Sequence, residues 1–444
     1  MDTLPLPPRP DLAQYRKRAK ELVAATQSPD ATAVNRWAAS WLTALAKALG
    51  QPITPFVQGS FDRAVRALEE RVRERTSSGA PLTLADAQFV MARAHSFDNW
   101  AAFVKHVERV TGANTETSEF EKAADAVVNG DLETLQTLVR RDPSLVRARS
   151  DREHHVTLLH YVVANGVEDF RQKTPKNAVE IARFLLESGA IVDAGSDTYG
   201  RDEWQTTMNL LVSSAHPAGA GLQSALAEVL LDFGAAVNGV KDDESPILTA
   251  LDFGYGDTAE TLARRGARVD NVIVASALGR LDLVERYVVD AHTLAPGVPF
   301  VAPRWRNLPD DPTTHIEFAL AWACKFARAD VANFLLDNGV NPASVDGFDM
   351  TAIHWAAANG MVDLVRRLIA MAVPLEVKNR WEGTVLDSTA HFAAYIPVDG
   401  VDYAVVFKLL IDAGADVSVL APYPAGTKAI DDVRRSHGIP IPND

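Results

Sequence analysis

Four side chains of this sequence would supply acid–base chemistry if the fold gathered them: Asp252, Glu317, Lys325 and His391. A carboxylate, an amine and an imidazole exchange protons usefully only when held within hydrogen-bonding reach of a reacting atom. They are far apart in sequence, so everything depends on the elements that carry them. Glu317 and Lys325 share the run EFALAWACKFA, whereas Asp252 closes SPILTALD and His391 lies in GTVLDSTAHFA. Packed helices lie about 10 Å apart. Asp252 and His391 are therefore too distant to meet without a spanning substrate, and a local cluster of Glu317 and Lys325 is the better catalytic candidate.

Other chemistries find no foothold. The sequence has no G-x-S-x-G elbow, H-E-x-x-H pair, phosphate-binding G-x-x-x-x-G-K-[ST] loop or dinucleotide fingerprint. The single cysteine, Cys324, excludes an internal disulfide and a multi-thiolate zinc site. His154, His155, His315 and His391 are scattered, so neither a metal nor a cofactor is expected. The 44 Lys and Arg against 58 Asp and Glu give a net charge of −14, an unfavourable field for a phosphate backbone. Nucleic acid is not an expected partner. The first residues lack the apolar run of a signal peptide, and no stretch reaches about 18 apolar residues. A cytoplasmic, non-membrane protein is the expectation.

The elements that carry the four residues recur. An apolar pair followed by a turn glycine marks FLLESGA, VLLDFGA, TLARRGA, FLLDNGV and KLLIDAGA, with glycines at 189, 234, 266, 339 and 414, and RLIAMAV puts Ala372 in the same place. Their spacings are 45, 32, 73, 33 and 42 residues, which reduce to a period near 33 with insertions. About 20 residues ahead of most of them stands a second signature, as in VTLLHYVVANG, QTTMNLLVSSA and MTAIHWAAANG. A period of this length marks stacked supersecondary units.

Together these runs resemble ankyrin repeats, whose units read T-P-L-H-x-A-A-x-x-G and then L-L-x-x-G-A. The resemblance implies an all-α ankyrin-repeat solenoid of helix-turn-helix units with short β-turn fingers, in about eight irregular units over residues 117–444. It also implies a structural role for Thr351 with His354 and for Thr157 with His160, which tie one repeat to the next. Asn209 and Asp387 replace the histidine in two units and leave those joints open.

Residues 1–113 lack the repeat. Four stretches there space apolar residues at three and four, which predicts a small helical domain, with Ser60 and Thr83 as N-caps and Gly50 as a stop. The stretches LPLPPRPDLAQYRKRAKELV and LADAQFVMARAHSFDNWAAFVKHV look like the leader of a bacterial ankyrin-protein group. A helical cap over the first repeat's apolar flank is the expected role.

The resemblance implies a concave face built from the first helices and the fingers. Reading the register places Asn165, Ser213, Ser214, Phe253, Lys325, Phe326, Asn359, His391 and Phe392 on the helices of that face. The fingers add His154, Trp204, His315, Glu317, Phe348 and Trp381. This row is aromatic and of mixed charge, as suits a protein partner anchored by aromatic side chains. The proline-rich stretch 290–315 predicts an inserted loop in which Arg304, Trp305 and Arg306 reach over the groove. A protein-interaction module is the expected function; an enzyme or small-molecule binder with its site beneath that loop is the alternative.

Overall fold

The computed structural model describes residues 4, 6–7, 10–48, 55–76, 80–111, 116–152, 154–168, 171–198, 204–240, 245–303, 306 and 308–441. It forms two compact units, Met1–Asp243 and Glu244–Asp444.

The first unit opens with five helices: α1 (Leu12–Thr26), α2 (Ala33–Ala48), α3 (Pro55–Thr76), α4 (Leu84–Ala94) and α5 (Trp100–Thr111). Their apolar faces follow the helical period, as in Tyr15, Ala19 and Leu22 of α1, and close one core from Leu4 to Val107. His95 is wholly buried in it, with its Nδ1 2.9 Å from the Leu4 carbonyl and the rings of Tyr15, Trp41 and Phe103 around it. Thr83 caps α4 in a reciprocal capping box with Asp86. Ser60 lies inside α3, because Pro55 already serves as a helix start, and Gly50 lies outside the described residues.

Helix pairs follow: α6 (Glu116–Asn129) with α7 (Leu132–Arg141), α8 (Leu158–Val162) with α9 (Ala178–Glu187), and α10 (Thr207–Leu211), a short α11 (Ala215–Gly219) and α12 (Gln223–Asp232). Between them β1 (Gly195–Ser196) and β2 (Gln205–Thr206) pair antiparallel as a finger. In the second unit the pairs are α13 (Pro246–Asp252) with α14 (Gly256–Arg264) and α15 (Val272–Ala277) with α16 (Leu281–Tyr287). An antiparallel hairpin of β3 (Val288–Asp290) and β4 (Thr293–Leu294) comes next. Then come α17 (Pro312–Lys325) with α18 (Ala329–Asp337), α19 (Ala352–Ala358) with α20 (Val362–Ala370), and α21 (Val385–Tyr395) with α22 (Tyr403–Asp412), before α23 (Lys428–Ser436).

The first helix of a pair is often too short to be stable alone, as α13 is at seven residues and α15 at six. It persists because it is buried on nearly every side: every residue of α13 and of α15 is buried. The second helices are amphipathic and bury one stripe, as α20 does with Leu364, Val365 and Leu368. The turn glycines adopt the left-handed conformation that the caps require, φ 97° at Gly266, and Ala372 adopts it at φ 56° without being glycine. At Thr351 the backbone N–H and the hydroxyl both meet Nδ1 of His354, at 3.2 and 2.7 Å, and Thr157 with His160 repeats this at 3.1 and 2.9 Å. Burial lowers the His354 pKa to about 4, and the carbonyls of Gly383 and Val377, one repeat on, hold it partly back.

The insertion ends earlier than the sequence predicts. Asp311 caps α17 through the Thr314 N–H at 2.8 Å and Pro312 occupies its first turn, so His315 is a buried helical residue. Proline suits a first helical turn, where its missing N–H costs nothing.

Candidate functional site

The site is built around the end of α17. The Lys325 ammonium donates to the carbonyls of Leu251 and Asp252, at 3.0 and 2.8 Å, in the last turn of α13. That of Leu251 also accepts from the Gly254 N–H of the helix cap at 3.0 Å, and both carry the negative end of the helix dipole. Four rings surround the same ammonium: Trp322, Phe326, Phe348 and Trp355, with centroids 5.1, 5.4, 5.3 and 5.6 Å away. Burial of the ammonium lowers the Lys325 pKa to about 8, against the opposing pull of Asp252 and Asp346 and with the help of Arg306.

Two buried carboxylates flank this box. Asp346 accepts from the N–H groups of Phe348 (2.8 Å) and Met350 (3.1 Å) and from Nε1 of Trp355 (3.0 Å). Burial nonetheless pushes its pKa up. Asp252 accepts two bonds from Arg306, each 3.2 Å, while the same guanidinium donates to the Gly347 carbonyl at 2.6 Å. The inserted segment is therefore fastened to the end of α13 and to the 346–350 finger at once. The Arg306 guanidinium lies 4.2 Å from the Phe348 ring centroid, and Trp381 from the next finger stacks on Phe348 at 5.6 Å and 16°. Trp381 itself is 66% exposed.

The structure thus brings together Asp252, Lys325, Phe326, Phe348 and Trp381. The remaining residues expected to act lie in other surroundings. Glu317 is half-buried, and burial raises its pKa although the Asn341 side chain bonds to it. His391 is exposed beside Phe392 and Tyr395. His315 is bound to the Asp311 carbonyl at 3.1 Å and packs on Phe300. Phe253 stacks on Tyr255 and is half exposed, and Trp204 lies beside Arg149 in the first unit. Arg304 and Trp305 lie outside the described residues. Among the described residues, no group of three or more His, Cys, Asp and Glu side chains is placed to hold a metal ion, and no helix is long and apolar enough to cross a membrane.

A family model described as "Ankyrin repeats (many copies)" matches residues 320–369, the segment that holds Lys325, Asp346, Phe348 and Trp355. The chain is an ankyrin repeat-containing protein. Among solved structures, the human ASB11 ankyrin repeat domain is similar at 20% identity, over 66% of this chain and 98% of that one, with a TM-score of 0.32. No curated protein matches the chain. Ankyrin repeats serve in general as protein-interaction modules.

In these ankyrin repeats, several residues expected to face a partner are spent on neighbouring helices. Asn359 donates to the carbonyls of Cys324 and Lys325, both at 3.0 Å, and Asn165 to that of Leu210 at 2.9 Å. Ser214 donates back to Ala164 at 3.2 Å. Arg328 on Ala277 and Tyr403 on Ala358, both at 2.9 Å, extend the same scheme. Each joint satisfies the open carbonyl end of one inner helix from another repeat.

Sequence reasoning missed a second polar centre, in the first unit, which also claims His154. Glu168, with no exposure, lies 2.8 Å from Arg152 Nε, 3.6 Å from Arg171 and 3.2 Å from His154. Arg171 also pairs with Glu121 at 2.7 Å and Asp125 at 2.8 Å, and the Tyr161 hydroxyl donates to Glu168 at 3.3 Å. Burial alone would raise the Glu168 pKa, but Arg152, Arg171 and His154 outweigh it and hold the carboxyl well below its usual range. A signal was present: Glu121 interrupts the buried stripe of α6, next to Phe120 and Ala124, where an apolar residue is the rule.

Proposed function

We propose that the protein recognises another protein through the concave face of its repeats, with the Phe348–Trp381 finger pair as anchor. The observation that carries this reading is the stack itself. Phe348 is held from behind by Arg306 and Lys325, so Trp381 is presented to solvent already ordered. A preorganised aromatic side chain loses little freedom on binding, and tryptophan is enriched among residues that dominate interface energies. Phe253, Phe326 and His391 are the further contacts proposed in this unit, and Trp204 in the other. The acid–base alternative is less well supported, because the Lys325 amine and the Asp252 carboxylate are already engaged by protein groups. We assign residues 1–113 to a helical domain that caps the array of 117–444, and the protein to the cytoplasm.

The test is quantitative capture from lysate by the wild type, by Trp381→Ala and by Ile191→Ala, a control at another exposed apolar residue. A protein held by the wild type and by the control, and lost at least about tenfold by Trp381→Ala, supports the reading. Captured proteins that are indifferent to Trp381 would remove this finger as the anchor.

A further inference from the structure

The buried ionic centre of the first unit draws its members from five pieces of chain. His106 comes from α5, Glu121 and Asp125 from α6, Arg152 and His154 from the segment ahead of α8, Tyr161 from α8, and Glu168 and Arg171 from the segment between α8 and α9. Its reach into the N-terminal helices is made by the neutral His106 ring, 3.9 Å from Glu121 and 4.8 Å from the ring of Phe97 in the Leu4–Val107 core, and by the ion pair of Arg109 in α5 with Asp151, beside Arg152. On the other side Tyr161 faces Phe120 across 6.3 Å. The compact unit that contains this centre runs unbroken from Met1 to Asp243, past the end of the N-terminal helices.

We propose that this cluster is a clasp that makes the N-terminal five-helix body and the first repeats open and close as one cooperative unit. Three features argue for it. First, Arg152 and Glu168 lie outside any helix and Arg171 ends a single 3-10 turn, closed by the local bond from Arg171 N–H to the Glu168 carbonyl at 2.8 Å. Their inward placement therefore depends on the ions themselves. Second, both Glu121 and Glu168 lie against the same two arginines, so withdrawing either carboxylate strands charge on both sides. A stranded buried charge is far costlier than the pair is favourable. Third, apolar surfaces tolerate sliding, whereas ions with fixed partners accept one register, and buried ionic groups are best attested in that role. The clasp thus couples two bodies that each have an apolar core of their own.

Native-state hydrogen exchange of the full chain tests this. In the wild type, core amides of α4 and α5 and those of α6, α8 and α9 are expected to share one opening free energy. Glu168→Gln is expected to speed exchange in α6, α8 and α9 by about a hundredfold or more while α4 and α5 keep their protection, so that the two groups separate. Should Glu168→Gln fail to fold, Asp125→Asn serves instead. Its carboxylate lies at the rim, and the same separation is expected at about a few-fold. Two groups already opening at different free energies in the wild type, or variants that leave the groups together, would overturn the proposal.

Discussion

The ammonium of Lys325 is bonded to the carbonyl of Asp252 at 2.8 Å, across 73 residues of chain. The same residue that supplies a buried carboxylate to Arg306 thus supplies a helix-end carbonyl to the lysine. Replacing Lys325 by Met keeps a stem among the four rings but removes the donors. The second unit is expected to lose about 1–3 kcal/mol, read from denaturant unfolding. An unchanged midpoint would show that water serves those carbonyls as well.

Lys325 also gives a pH signature of unusual sign. Its folded pKa, about 8, lies below the unfolded value of 10.5, so between those limits the unfolded state binds more protons. Stability is therefore expected to rise with pH from about 8 to 10.5, by at most about 1.4 kcal/mol per pH unit. The slope should vanish in Lys325→Met, and a wild type without it would mean that the amine stays protonated throughout.

Arg306→Ala leaves the Asp252 carboxylate buried without its ion pair, which costs about 3–5 kcal/mol in comparable sites. Because the same arginine ties the insertion to Gly347, limited proteolysis within residues 291–303 is expected to accelerate alongside the loss of stability. Faster cleavage with undiminished stability would separate the tether from the ion pair.

Acid should weaken the first unit before the second. Burial depresses His95 and His160 to about 3 and His106 to about 4 in the first unit, against His354 alone, at about 4, in the second. Each stays neutral when folded but takes a proton near 6.5 when unfolded, so stability falls as pH drops below 6.5 toward those values. Hydrogen exchange followed from pH 7 to 4.5 should show α4, α5 and α8 losing protection more steeply than α19. The reverse order would exclude these histidines as the trigger.

Gly195→Ala is a probe of the first unit's finger. A Cβ there would lie 1.6 Å from Nε1 of Trp204, so the indole must leave. Trp204 is half exposed, so the cost to stability should be small, while its fluorescence shifts toward that of a fully hydrated indole. An unaltered spectrum would mean that the backbone moves instead.

The repeat and its joints were legible because they rest on local chemistry. Thr351 lies three residues from His354, and Gly266 lies two residues past the helix it ends, so each pair appears in any short window of sequence. Arg306 with Asp252 is a pair 54 residues apart, and Arg171 with Glu121 one of 50; no periodicity links them. The row expected to face a partner was half legible for a related reason. Register places Asn359 and Lys325 at the ends of inner helices, but whether such a donor turns to solvent or to a neighbouring carbonyl depends on which carbonyls are left open there. Register marks Lys325 as a catalytic or partner-facing candidate, and its ammonium donates to the carbonyls of Leu251 and Asp252.

The joints between repeats converge on the carbonyl ends of inner helices, as those of Asn359 on Cys324 and of Tyr403 on Ala358 do. Residues 396–402, which separate the inner helix α21 from its outer companion α22, hold none of the joints named above. Gains and losses of residues there leave the joints intact. A lineage of such chains is free to vary the length of that unit on one side while inheriting an unchanged spine on the other.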